Sequence, residues 1–433
     1  MGSDMVVALG PATVDGYTFF GHNSDRSPEE SQSIRRVAGR EFSPGERVRT
    51  RDLELDQARH TYTVLGAQPE GCWGYTQGVN DQGVAAGCAV LHNKIPCSGP
   101  GLVGMDLVRL ILERSRTARQ AVDCLIELVG QHGQSERQGS GERPPQGDSS
   151  FLIADAAEAF AVETAGRHWV YQEIREVRAA GNACIIRQDW NRISPGLSDY
   201  VIGQGWWPAD GSKLDFAGAV TENPMGHASG LRRWGRATLL LEEQNGNIDS
   251  AFIRRVLGDH YEGTHFEVDP LLSVTGPATL CQHGVGPSGL MTATSLVAQL
   301  GGRSGGLNIV WCAFGPPCCN VYFPLFVEGE IPEVFGGRTP SLESVWSRAV
   351  RLSQQLHDEP EQRGLARETF SRLQARLDQD AEEFAAEAGP SKRSGALSEL
   401  QRQAATNMLH SLEMFESALA SVQKIAESHP VLA

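Results

Sequence analysis

No apolar run in this 433-residue chain approaches the ~20 residues that span a bilayer, which argues against a membrane-embedded protein. Positive charge is in the minority. Against 53 Asp and Glu stand 38 Lys and Arg, a formal net charge of -15, which argues against a nucleic-acid or anionic-membrane partner. The first residues lack a basic region followed by an apolar core, so no signal peptide is expected and a cytoplasmic protein is the plain expectation. Three cofactor signatures are missing: the GxGxxG dinucleotide loop, the GxxxxGK[ST] phosphate loop and the HExxH zinc helix. No cofactor is expected. The nine cysteines are odd in number, and most sit among apolar neighbours, as Cys124 and Cys184 do; they read as reduced core residues. Cys318 and Cys319 are adjacent and lack a second pair at zinc-site spacing, so no metal site is expected.

What is present reads as strands first and long helices last. The runs Val6-Val7-Ala8-Leu9, Thr61-Tyr62-Thr63-Val64-Leu65, Val84 through Val90, Phe151-Leu152-Ile153-Ala154 and Phe160-Ala161-Val162 are β-prone and bounded by turns. Met105 through Arg114 has an apolar stripe at helical spacing, and Thr117 begins a second helix signature reaching Val129. Residues 131–149, rich in Gln, Gly, Ser and Pro, predict a loop. Residues 229–256 predict a helix, and strands are expected at Ala278-Thr279-Leu280-Cys281, from Leu307 to Cys312 and around Val321 to Val327. The pattern gives a layered α+β domain over residues 3–335. Residues 341–433 form amphipathic helices over 341–356, 361–388 and 395–427, expected to pack on that domain or across a homodimer interface.

The start of the chain carries the most chemistry. Removal of Met1 and Gly2 would give Ser3 both a hydroxyl nucleophile and a free α-amine. An α-amine titrates near pKa ~8, so it can serve as a general base close to neutrality.

Ordered short segments then place the chain. They include Val7-Ala8-Leu9-Gly10-Pro11-Ala12-Thr13, Phe20-Gly21-His22-Asn23-Ser24-Asp25-Arg26, Trp73-Gly74 and Gly104-Met105-Asp106-Leu107-Val108-Arg109-Leu110. Ser150 through Asp155, Glu163-Thr164-Ala165-Gly166, Gln204-Gly205-Trp206-Trp207 and Phe314-Gly315-Pro316-Pro317 complete the set. Over residues 3–330 the sequence resembles the secernin and bacterial dipeptidase A group, the C69 peptidases, within the N-terminal-nucleophile hydrolases. That resemblance implies a four-layer αββα sandwich with the nucleophile at the head of the first strand. It also implies hydrolysis of a linear amide or dipeptide through an acyl-enzyme, with a small amide as partner. An acyltransferase and a non-catalytic binding protein are the alternatives.

Position by position, Ser3 stands where the family usually has Cys. A natural serine nucleophile, a cysteine replaced by serine and a Gly-Ser remnant of another start all fit that difference. Asp25 matches the acidic residue that contacts the nucleophile's amine. His22 matches a position that is usually Lys or Arg, to orient the nucleophile or meet substrate. Asn182 matches a polar ligand for the amine or the oxyanion. Cys88 takes the place of an Asn that helps form the oxyanion hole; a thiol is a poor donor, and Asn80 is the neighbour expected to compensate. Trp73 could line the pocket. Arg232 and Arg233 could meet a carboxylate, although a solvated helix face is the simpler expectation.

Overall fold

Met5 through Leu9 and Phe19-Phe20 show no polar alternation, which a strand covered on both faces requires; both strands are buried along their whole length. The computed structural model describes residues 2–97, 99–135, 148–222, 228–269, 278–284, 289–301, 307–336, 344–358, 362–394 and 397–428. The first sheet is antiparallel throughout. Its order is β12 (Val177–Gly181), β1 (Gly2–Ala8), β2 (Thr18–Arg26), β14 (Met291–Leu300), β15 (Ile309–Phe314) and β16 (Phe323–Leu325). The second, also antiparallel, runs β13 (Arg192–Ile193), β11 (His168–Ile174), β10 (Ala159–Ala165), β9 (Ser149–Ala154), β8 (Ala85–Val90), β7 (Gln77–Asn80), β6 (Val64–Pro69) and β3 (Gln32–Val37). A small ribbon, β4 (Arg47–Arg49) with β5 (Glu54–Asp56), stands apart.

The two sheets face each other through β1, β8, β9 and β12. Helices α1 (Gly104–Arg114) and α2 (Ala118–His132) cover the second sheet, burying Leu107, Leu110, Ile111, Val122 and Leu125. Short helices α3 (Leu197–Gly203) and α4 (Phe216–Val220) follow β13. Helices α5 (Ala228–Glu243) and α6 (Ser250–Leu257) cover the first sheet. The result is the expected α+β architecture, a four-layer αββα sandwich. The residues expected to form one helix over 229–256 form two, because Gly246 takes a left-handed turn and Asp249 restarts the chain by capping the Phe252 N–H at 2.7 Å. Ala278 through Cys281 does not form a strand; only His283 bridges, to Met291. Of the expected loop at 131–149, residues 136–147 lie outside the described residues, as do 341–343 of the first C-terminal helix.

The C-terminal part comprises α7 (Glu333–Gly336), α8 (Val345–Asp358), α9 (Gln362–Ser394) and α10 (Leu397–Ser428). Helices α9 and α10 pair and lie over the edge strand β16, with Phe323 5.4 Å from Phe415 and Phe326 4.8 Å from Phe384 between ring centroids. Gln374 of α9 accepts from the Tyr322 N–H at 2.7 Å and donates to the Tyr322 carbonyl at 3.1 Å. A side-chain amide thus satisfies backbone groups beside a strand that would otherwise invite a further partner. No helix among the described residues is long and apolar enough to cross a membrane.

Gly87 of β8 packs directly against side chains of β2. A Cβ at Gly87 would lie 2.7 Å from His22 Nδ1 and 3.1 Å from Phe20 Cζ. Gly87→Ala should therefore lower stability by about 1–3 kcal/mol. Urea unfolding should show a lower midpoint at an unchanged slope.

Candidate active site

Pairing of β1 with β2 sets the site, because cross-strand partners share a face of the sheet. Gly2 faces Asp25, Ser3 faces Ser24 and Asp4 faces Asn23. Alternation then sends Ser3, Ser24 and His22 toward the second sheet, and Asp4, Asn23 and Asp25 toward α5 and α6. Asn23 uses its amide to hold that helical side, donating to the carbonyls of Leu257 and Leu280 at 2.8 Å each.

Ser3 is buried. Its backbone N–H donates to Asn182 Oδ1 at 2.8 Å, and its Oγ donates to the Gly2 carbonyl at 2.5 Å. Asn182 follows β12, and its surroundings are fixed from several sides. Ser150 Oγ donates to the Gly181 carbonyl at 2.7 Å. Glu163, wholly buried, accepts from the Ile185 N–H at 2.7 Å and from Ile186. Asn182 Nδ2 donates to the Val90 carbonyl at 2.9 Å. Arg233 Nη2 donates to Asn182 Oδ1 at 3.0 Å, so one amide oxygen serves both the Ser3 N–H and a guanidinium.

Arg233 also meets Asp4 through Nε at 2.8 Å and Ser229 Oγ through Nη1 at 2.8 Å. Both members of the Asp4–Arg233 pair are almost wholly buried. Burial raises the Asp4 carboxyl, and the guanidinium opposes it. The expected solvated helix face is corrected here for Arg233: α5 aims it at the sheet. Its helical register was visible in the sequence, but the buried acid that attracts it lies 229 residues away.

Asp25 accepts from Thr292 Oγ1 at 2.8 Å and from Gln282 Nε2 at 2.9 Å. Opposite Asp25, a bulge in β14 shifts the register between Thr292 and Thr294, so Thr292 meets Asp25 while Thr294 takes a hydrogen bond from Gln77 of the second sheet at 3.1 Å. Burial pushes the Asp25 carboxyl up to about 7, and the nearby Asp4 charge adds to the shift; Arg233 and the Thr292 hydrogen bond oppose it. Gln282 and Thr292 escaped the sequence reading, since neither lies in a segment of special composition.

Four expected residues stand elsewhere or in other states. His22 is fully buried against Gly87, and neither ring nitrogen has a hydrogen-bond partner among the described residues. Burial, then Arg26, lowers it to about 3, so it is a neutral imidazole near neutrality. Asn80 spends its amide on the Leu112 and Ser115 carbonyls at 2.8 and 2.7 Å, finishing α1, and its oxygen holds the turn through the Val84 N–H. Its side-chain amide is engaged on those backbone groups, away from Ser3. Cys88 belongs to the apolar cluster under α1 and α2, close to Gly104, and burial raises its thiol to about 12. Trp73 stacks on the Arg109 guanidinium of α1, 4.1 Å from its ring, and packs against the same cluster. Ser3, Asp25 and Asn182 are thus the expected residues that the strands bring together, and Arg233, Asp4, Gln282 and Thr292 hold them.

Residues 13–192 match the acyl-coenzyme A:6-aminopenicillanic acid acyl-transferase family. That segment carries Asp25 and Asn182 but neither Ser3 nor Arg233. Similar solved structures include a variant of the conjugated bile acid hydrolase from Clostridium perfringens, at 14% identity over 72% of this chain and 89% of that one, TM-score 0.40. Penicillin V acylase from Agrobacterium tumefaciens matches at 14% identity over 78% and 89%, TM-score 0.39. The Caenorhabditis elegans ortholog of N-acylethanolamine-hydrolyzing acid amidase matches at 11% identity over 70% and 94%, TM-score 0.34. The layer order described above, two antiparallel sheets between helical layers, is an αββα sandwich.

Two outcomes follow from the buried charges. Arg233→Met leaves Asp4 buried without its partner and should cost about 3–5 kcal/mol in chemical denaturation, whereas adding Asp4→Asn should recover part of that loss. The second concerns pH. Native Asp25 holds its proton up to about pH 7, whereas the unfolded chain releases it near 3.8. The native state therefore binds more protons across that window, and its stability falls as pH rises through it. Glu163, raised to about 7 by burial, acts in the same direction. Asp25→Asn should flatten the decline by at most about 1.4 kcal/mol per pH unit between pH 4 and 7, read from urea midpoints.

Proposed function

We propose that this chain is an amide hydrolase whose nucleophile is Ser3, exposed when Met1 and Gly2 are removed. The single observation that supports this most is the hydrogen bond from the Ser3 nitrogen to Asn182 Oδ1, held from behind by Arg233. The same oxygen would accept from a free Ser3 amine and fix its direction. Asp25 supports the reading as well: its carboxylate lies against Gly2, where a Cβ would sit 2.8 Å from Oδ2. Loss of Gly2 would open that space beside the new amine, and the positive charge there would favour the ionised carboxylate.

In the proposed reaction the Ser3 hydroxyl oxygen attacks the amide carbonyl, and its proton passes to the Ser3 amine. The tetrahedral centre collapses as the C–N bond breaks, and the amine returns the proton to the leaving nitrogen. Water then attacks the resulting ester with the same amine as base, releasing a carboxylic acid and restoring Ser3. Asn182 and Asp25 position the amine; Arg233 positions Asn182. The resemblance to the secernin and dipeptidase A group favours a dipeptide or linear amide as substrate. The match of residues 13–192 to an acyl-transferase family favours a second reading, in which a small amine resolves the ester in place of water.

Intact mass of the purified chain tests the proposal. The expected species lacks Met1 and Gly2 and gains an acyl group on Ser3 when exposed to a panel of dipeptides and N-acyl amines. Asp25→Asn should fold and lose turnover by about 100-fold or more, and Ser3→Ala should lose it entirely. A processed chain that turns over amides equally well as Ser3→Ala would overturn the assignment. So would an intact terminus together with no turnover, which leaves a non-catalytic binding protein.

A further inference from the structure

Beside the Asp25 support, and outside the proposed chemistry, four metal-binding side chains converge from three segments of the chain. His260 lies in the turn after α6. Cys281 and His283 flank Gln282, and Cys318 sits in the 3-10 turn Pro317–Cys319 between β15 and β16. Their four ligand atoms all lie within 4.8 Å of one another. The imidazole Nε2 atoms of His260 and His283 are 3.2 Å apart; His283 Nε2 is 3.5 Å from Cys281 Sγ and 3.2 Å from Cys318 Sγ. A tetrahedral zinc ion with ordinary Zn–N and Zn–S lengths separates its ligand atoms by about 3.3–3.8 Å, so this grouping is close to a coordination shell. Simple core packing gives no reason for two imidazoles to turn the same nitrogen toward each other and toward two thiols.

We infer that His260, Cys281, His283 and Cys318 form a structural Zn2+ site. Two thiolates would cancel the charge of the dication, so a neutral unit would be buried there, and mixed thiolate and imidazole donors select zinc over harder cations. The surroundings of His260 support the assignment. Glu262 Oε1 lies 3.1 Å from His260 Nδ1, and Glu262 Oε2 accepts from the His260 N–H at 2.6 Å. A carboxylate behind one ring nitrogen fixes the tautomer that leaves the other facing a metal. Tyr261, between these two residues, has φ +65° and is the one non-glycine residue in the left-handed region among the described residues. That conformation is strained for a bulky side chain and persists where surrounding contacts enforce it.

The ion would join the α6 turn, the approach to β14 and the turn before β16. Its two central ligands bracket Gln282, whose side chain reaches Asp25 and whose N–H donates to Thr292 Oγ1 at 2.9 Å. The adjacent Cys318 and Cys319 lack a second cysteine pair at zinc-site spacing, so the sequence shows no metal signature. The four ligands are instead one short-spaced pair, Cys281 with His283, and two distant single residues, His260 and Cys318.

The site is independent of the proposed hydrolysis, and its test reads metal rather than turnover. The full chain, expressed with zinc and purified under reducing conditions, should carry about one zinc per molecule by elemental analysis. Cys318→Ser and His283→Ala should each lower that content about fivefold or more, while Cys124→Ser, on α2, should leave it unchanged. Replacing zinc with cobalt in the unmutated chain should give the intense visible bands of tetrahedral cobalt and a thiolate-to-cobalt charge-transfer band. The cobalt experiment needs no variant to fold. A reduced, folded chain that holds less than about a tenth of an equivalent and takes up neither zinc nor cobalt would overturn the inference, as would a Cys281–Cys318 disulfide in freshly isolated protein.

Discussion

One buried ion pair ties the site together. Asp4 and Arg233 are both shielded from water, so neither could keep its charge there without the other. The pair fastens α5 to β1 beside the head of the strand. Because Arg233 also reaches Asn182, the residue next to Ser3 in sequence and the residue next to Ser3 in space are tied to the same guanidinium. The remaining fixtures repeat that economy. Glu163 secures the segment after Asn182, and the bulge in β14 lets neighbouring threonines serve opposite faces of one sheet.

What could be read from the sequence, and what could not, divides along physical lines. The β-prone runs and the stripe on α1 were legible because periodicity is local. Asp25 and Ser3 stood out as chemistry, and register alone brings them near each other. The surroundings of Asn80 and Cys88 were not legible, because a polar or nucleophilic side chain in sequence does not say which face of its strand it takes. Cys88 alternates with Gly87, and only Gly87 looks toward the first sheet. His22 was legible as a polar residue in an apolar run, but its neutrality follows from complete burial, which no local pattern reports. Gln282 and Arg233 could be found only through partners more than two hundred residues away.

The C-terminal helices extend this logic to the edge of the fold. Beyond the rings that pack around Phe323 and Phe326, Arg254 of α6 meets Asp378 of α9, with Nη1 donating to Oδ1 at 2.9 Å. A helix that covers the first sheet is thereby bound to a helix that closes its last strand. Two regions of that sheet are stabilised by different means: apolar and amide contacts at the edge strand β16, buried charge at the inner strand β1.

Gly2 has a consequence of another kind. Its missing side chain is what allows the Asp25 carboxylate to lie flat against the backbone while holding Thr292 and Gln282. The fold therefore acts as a gauge on that position: any residue with a Cβ there would crowd Oδ2 and force the carboxylate or the backbone beside it to shift. Sequence freedom at position 2 is limited by a carboxylate whose two donors, Gln282 and Thr292, lie some 280 to 290 residues later in the chain.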